Sequence, residues 1–82
     1  MSYIVIEIQT NENGEIGQLV SIFPDRNNAE MKYHQILAAA AISEIPSHAA
    51  VMLTNDGRMV KHEVYYHSQP EPEPEPEDEP VE

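Results

Sequence analysis

Polar and apolar positions alternate in four stretches and follow a helical period in one. Tyr3–Thr10 (YIVIEIQT) is rich in β-branched residues and predicts a strand. Asn13-Gly14 follows, a pair suited to a tight hairpin turn with positive φ at both central positions. Ile16–Phe23 (IGQLVSIF) is then the returning strand. With Asn13-Gly14 as the turn, Ile8 faces Leu19, Ile6 faces Ser21 and Ile4 faces Phe23 on one apolar face. Val5, Glu7, Val20 and Ile22 fall on the opposite, mixed face.

Pro24 ends the second strand, and Asp25, or Asn27 with Glu30 three residues on, is suited to cap a helix. The helix is expected from Arg26 to about Ile42. Ala29, Tyr33, Ile36, Leu37, Ala40 and Ala41 recur at spacings of three and four and form its apolar stripe. The alanine run Ala38–Ala41 favours helix and leaves a thin waist for close packing. Ile45-Pro46 closes the connection, because a residue before proline is pushed out of helical geometry.

Ser47–Thr54 (SHAAVMLT) predicts a third strand, Asn55-Asp56-Gly57 a second hairpin turn, and Arg58–His67 a fourth strand. With Asp56-Gly57 as the turn, Leu53 faces Val60, Val51 faces His62 and Ala49 faces Val64. His48, Ala50, Met52, Lys61, Glu63 and Tyr65 fall on the mixed side. Two hairpins and one amphipathic helix predict an α+β fold of order ββαββ. Its four-stranded, largely antiparallel sheet would carry the helix across the apolar face. The order of the hairpins in the sheet is left open by the pattern.

Composition changes the picture at the C-terminal end. Of the 15 acidic residues of this 82-residue chain, seven lie in 69–82, interleaved with five of its seven prolines. Alternating Pro and Glu forbids helix and sheet. The expected organisation is one ββαββ domain over 1–68 and a disordered acidic tail over 69–82. Glu71, Glu73, Glu75, Glu77, Asp78 and Glu79 would present negative charge there. Two uses follow, a solubilising terminus or an acidic arm that steers a basic protein partner.

A fold of this size buries a modest core, and small domains offset that with disulfides, metals or self-association. With no cysteine in the chain, disulfides and thiolate metal sites are excluded. The four bases, Arg26, Lys32, Arg58 and Lys61, are too few to track a phosphate backbone, so direct nucleic-acid binding is not expected. Met1-Ser2-Tyr3 lacks a basic leader, and no apolar run approaches a membrane span. The expectation is a cytoplasmic or virion-associated protein without a signal peptide.

Candidate chemistry is sparse. His34, His48, His62 and His67 lie on the helix and the second hairpin without a metal-binding spacing. His62 falls on the apolar face, where it would need a hydrogen-bond partner. Glu7 and Glu63 share the mixed face and would approach each other if the first and fourth strands were neighbours. No nucleophile motif or glycine-rich phosphate loop is present. The reading is non-enzymatic, with no catalytic residue, cofactor or metal. A hydrolase or metal enzyme using His48, His62 or His67 is the least favoured alternative.

The mixed face is too apolar for a freely solvated sheet surface. Val5, Val20, Ile22, Met52 and Tyr65, with Ala50, are therefore the expected partner contacts. The simplest partner is another copy of the chain in a homo-oligomer.

"EIQTNENG" and "NNAEMKYHQILAAAAISEIPSHAAVMLTNDG", with the Tyr/His-rich end of the last strand, carry a likeness. From about Tyr3 to about His67 the chain resembles small proteins of unknown function encoded in phage and prophage structural-gene regions of gut bacteria of the Firmicutes type. "YHQILAAAA" and the P-x-H-A-A of Pro46–Ala50 are its distinctive parts. The resemblance implies a viral accessory protein made with virion components and carries no catalytic or binding residue over. A virion-associated or assembly-accessory interaction module is the leading expectation. The alternative is an antagonist of host defence. It would mimic nucleic acid through the tail with Glu7, Glu12, Glu15 and Glu63, or sequester a nucleotide through Arg26, Lys32, Arg58 and Lys61.

Overall fold

The structure is a computed structural model and describes residues 1–67. The expected acidic tail lies outside the described residues. The elements run β1 (Tyr3–Thr10), β2 (Ile16–Phe23), α1 (Arg26–Ala41), β3 (Ser47–Thr54) and β4 (Met59–Tyr66). The fold is α+β, a four-stranded antiparallel sheet of order β2-β1-β3-β4 with one helix on one face. The two hairpins thus meet through their first strands.

Both hairpins close through three-residue loops. Asn11 N–H donates to the Glu15 carbonyl and Gly14 N–H to the Asn11 carbonyl, both at 3.0 Å. In the second loop Thr54 N–H donates to the Arg58 carbonyl at 2.8 Å and Gly57 N–H to the Thr54 carbonyl at 2.9 Å. Gly14 (φ 84°) and Gly57 (φ 90°) take the left-handed position that such loops require. The Asn11 side chain completes the first loop by accepting from the Asn13 and Glu15 amides.

The three-residue loop shifts the first hairpin by one residue from the expected register. Ile4 pairs with Ile22, Ile6 with Val20 and Ile8 with Gln18. Val5 pairs with Ser21, and Tyr3 with Phe23. The second hairpin keeps the expected pairs Val51–His62 and Ala49–Val64. Near its turn Leu53 pairs with Met59 rather than Val60, and Val60 becomes the extra residue of a bulge in β4.

Asp25 caps α1 in extended geometry, and its carboxylate accepts from the Asn28 amide at 3.0 Å. The helix buries Ala29, Tyr33, Ile36 and Ala40, while Leu37 is half-buried and Ala41 exposed.

The stripe packs on the face expected to be the open one. Val5, Ala50 and Met52 lie beneath the helix, with Tyr3, Phe23, Leu37 and Val60 packed around them. Chain handedness accounts for this. β2 and β3 are both antiparallel to β1 and flank it, so β2–α1–β3 is a crossover between parallel strands. The Asn11–Glu15 bond means that every second residue back along β1, including Val5, turns its backbone polar groups toward β2. With L-residues, only a helix on the Val5 face makes that crossover right-handed. The Ile4–Ile6–Ile8 stripe is left on the other side.

Candidate functional site

The sheet offers two surfaces of different chemistry. On the helix-free face the strand pairings set out four rows across the sheet. Ile22, Ile4, Leu53 and Met59 form the first, and Val20, Ile6, Val51 and His62 the second. Gln18, Ile8, Ala49 and Val64 form the third, and Ile16, Thr10, Ser47 and Tyr66 the last. No Asp, Glu, Lys or Arg occurs in these rows. Ile16 (69%), Val20 (55%), Ile22 (67%) and Tyr66 (77%) are among its exposed residues. The residues of the central strands on this face are half-buried by their neighbours alone. An uncharged apolar surface of this extent makes the face the candidate contact site.

The charged strand residues Glu7, Lys61 and Glu63 lie on the helix side. There Glu7, Gln9 and His48 form a polar cluster. His48 is buried, and its Nε2 lies 2.7 Å from Glu7 Oε2. Gln9 Nε2 donates to the same oxygen at 3.0 Å. His48 Nδ1 is buried with no hydrogen-bond partner among the described residues. Burial pushes the Glu7 carboxyl up, but the hydrogen bonds from His48 and Gln9 and the nearby positive charge of His48 and Lys32 outweigh it, and the net shift is downward. Glu7 borders an open cleft of about 220 Å³ lined also by Gln9, Gly17, Gln18 and Leu19. His48 does not line it. The dyad therefore presents a held carboxylate, with its imidazole turned away from solvent.

A second ionic group ties α1 to β4. Lys61 Nζ donates to Glu30 Oε1 at 2.9 Å and sits 5.4 Å from the Tyr33 ring centroid. Arg26 Nε donates to Glu30 Oε2 at 3.1 Å. The Lys61 bond lowers the Glu30 carboxyl pKa, partial burial opposes it, and Arg26 lowers it further. Arg58 lies 3.7 Å from Asp56. Arg26 and Lys61 thus converge on one carboxylate, Glu30, which offsets their charge, while Arg58 is engaged separately by Asp56.

The expected contact residues divide between the two surfaces. Val5 (1%) and Met52 (0%) are core residues, as is Ala50, and are corrected to that role. The helix expected over the isoleucines covers them instead. Tyr65 pairs with His48, on the helix side at the β4 edge, and stacks on His67. Val20 and Ile22 are exposed on the helix-free face, in rows with Ile6 and Ile4. The expectation missed Ile4, Ile6, Val51 and Leu53 as surface residues. The unbroken isoleucine alternation marks their face, but the strand order that decides which face is covered is not encoded in it.

The remaining candidates do not converge. His62 is exposed on the helix-free face and needs no partner, unlike the buried histidine expected there. His34 approaches Glu30 at 3.4 Å, and His67 Nε2 lies 2.7 Å from the Ala40 carbonyl. Glu7 and Glu63 both pair with Ala50, on strands separated by β3, which sets them about 10 Å apart by strand spacing. Among the described residues no three His, Asp or Glu side chains are grouped to hold a metal ion. No helix among them is long and apolar enough to cross a membrane. Comparison with protein-family models, curated proteins and solved structures finds no match for this chain.

Proposed function

We propose that the chain is a non-enzymatic protein-interaction module whose working surface is the helix-free sheet face. The observation that carries this reading is the row Val20–Ile6–Val51–His62 and its apolar neighbours, left bare by a helix that packs on the opposite side. Sheet faces that meet only water alternate toward polar residues. Here the charged strand residues lie on the helix side, in the Glu7–His48 pair and at Lys61 and Glu63. Selection for solubility alone would favour the reverse arrangement. The resemblance to phage and prophage accessory proteins supports a virion-associated or assembly-accessory role for the contact.

Photo-crosslinking in cells that naturally make the chain tests this. A photoreactive residue at Val20 should give protein adducts, and one at Met31, exposed on the outer side of the helix, should not. Equal yields at the two positions, or no adduct at Val20, would rule the reading out.

A further inference from the structure

We infer that the partner of this face is a second copy of the chain, packed sheet on sheet about a two-fold axis through the Ile6–Val51 centre. The inference rests on the reading of that face as the interaction surface and names its occupant.

Charge gives the first argument. The chain carries a formal net charge of -11, so two copies repel each other across a charged surface. The helix-free face bears no carboxylate, lysine or arginine in its rows, and there two copies approach without a like-charge pair. A strongly basic or acidic partner finds no ionic complement on it. The chain beyond His67 holds seven acids and five prolines, the wrong composition to cover an apolar surface.

The arrangement of polar groups gives the second. Gln18 lies on edge strand β2 and His62 on edge strand β4, while Thr10 and Ser47 close one end of the central strands. Ile4, Ile6, Val51 and Leu53 lie on the two central strands. Polar residues thus stand at both edges and at one end of an otherwise apolar face, and protein interfaces likewise set their apolar residues at the centre. A two-fold operation maps this centre onto itself.

Area gives the third. Four strands at ~4.8 Å and eight residues at ~3.3 Å each make a face of roughly 500 Å² in projection. Two such faces hide roughly 1,000 Å² before side-chain relief is counted, about the threshold for a specific interface. The folded unit also has reason to seek this burial. Its buried hydrophobic residues are Val5, Tyr33, Ile36, Met52 and three alanines, whereas its larger aliphatic set lies on the bare face. Packing two sheets ~10 Å apart turns that set into a second core.

Sedimentation equilibrium on the full chain is the test. The expected mass is twice the 9.3 kDa of one chain. The double variant Val20→Lys, Ile22→Lys should weaken association on the order of 100-fold by burying unpaired charge. Met31→Lys should leave it unchanged. Circular dichroism checks that each variant is folded. Because the chain has no cysteine, Val51→Cys supplies a single thiol near the proposed axis, and oxidation should link two copies. A wild-type mass of 9.3 kDa at millimolar concentration overturns the inference. So does a dimer that survives both lysines, which would point to edge-strand pairing. A monomer whose Val20 still crosslinks to a different protein refutes self-association and leaves the interaction surface standing. A monomer with no Val20 adduct removes both.

Discussion

Val5 and Ile6 are chain neighbours on β1 with opposite fates. Val5 is buried between the sheet and Tyr33 and Ile36 of the helix, whereas Ile6 lies on the bare face between Val20 and Val51. Strand alternation makes this division unavoidable once the helix has chosen a side. The side is chosen by the handedness of the β2–α1–β3 crossover, against the greater bulk of the isoleucine stripe. The consequence for function is direct, because the bulkier apolar set becomes surface.

Met52 is fully buried in the centre of β3 beneath the helix. Met52→Ala should cost about 2–5 kcal/mol, as expected for a core truncation with a residual cavity. Urea unfolding at fixed chain concentration measures it. A loss below about 1 kcal/mol would mean that the helix does not pack on this face.

The Glu7–His48 pair makes stability pH-dependent. Burial pushes the Glu7 carboxyl up, and the bonds from His48 and Gln9 with nearby positive charge bring it net below its ordinary value of 4.5. A carboxyl whose folded-state pKa is depressed stabilises the fold fully above its unfolded pKa and loses that contribution as pH falls through the folded value. Stability should therefore decline as pH drops below about 4.5, and Glu7→Gln should flatten that decline. Thermal unfolding across this range reads the slope. An unchanged slope in Glu7→Gln would assign the acid sensitivity to other carboxylates.

Gly57 and Gly17 should respond oppositely to alanine. Neither has an atom within 4 Å of an added Cβ, so packing does not decide. Gly57 sits at φ 90°, and Gly57→Ala should cost about 1–2 kcal/mol of backbone strain. Gly17 lies within β2, and Gly17→Ala should gain about 0.5 kcal/mol by restricting the unfolded chain. Denaturant midpoints test the pair. A neutral Gly57→Ala would argue against the left-handed loop position.

Much of the fold was legible in the residues. β1, β2 and β3 have the expected bounds, and α1 ends one residue early because Ile42 is its C-cap. Those boundaries are local, set by Asp25, Pro24, Pro46 and the two glycine turns. The first hairpin's register was not legible in the same way. Asn13-Gly14 serves a three-residue loop as readily as a two-residue one, and only the Asn11–Glu15 bond distinguishes them. The Val51–His62 register follows from the second turn, yet the sequence places His62 on the face expected to carry the helix, because the covered face depends on strand order and crossover hand. The Glu7–His48 contact spans 41 residues and follows from the pairing of β1 with β3, which no local pattern encodes.

The most direct test of the account is an isotope-filtered NOE measurement on a sample mixed from labelled and unlabelled chains. Contacts within a chain should join Tyr33 and Ile36 to Val5 and Met52. Contacts between chains should arise from Ile4, Ile6, Val20 and Val51. Between-chain contacts confined to the β2 or β4 edge, or within-chain contacts from the helix to Ile6 and Val51, would contradict it.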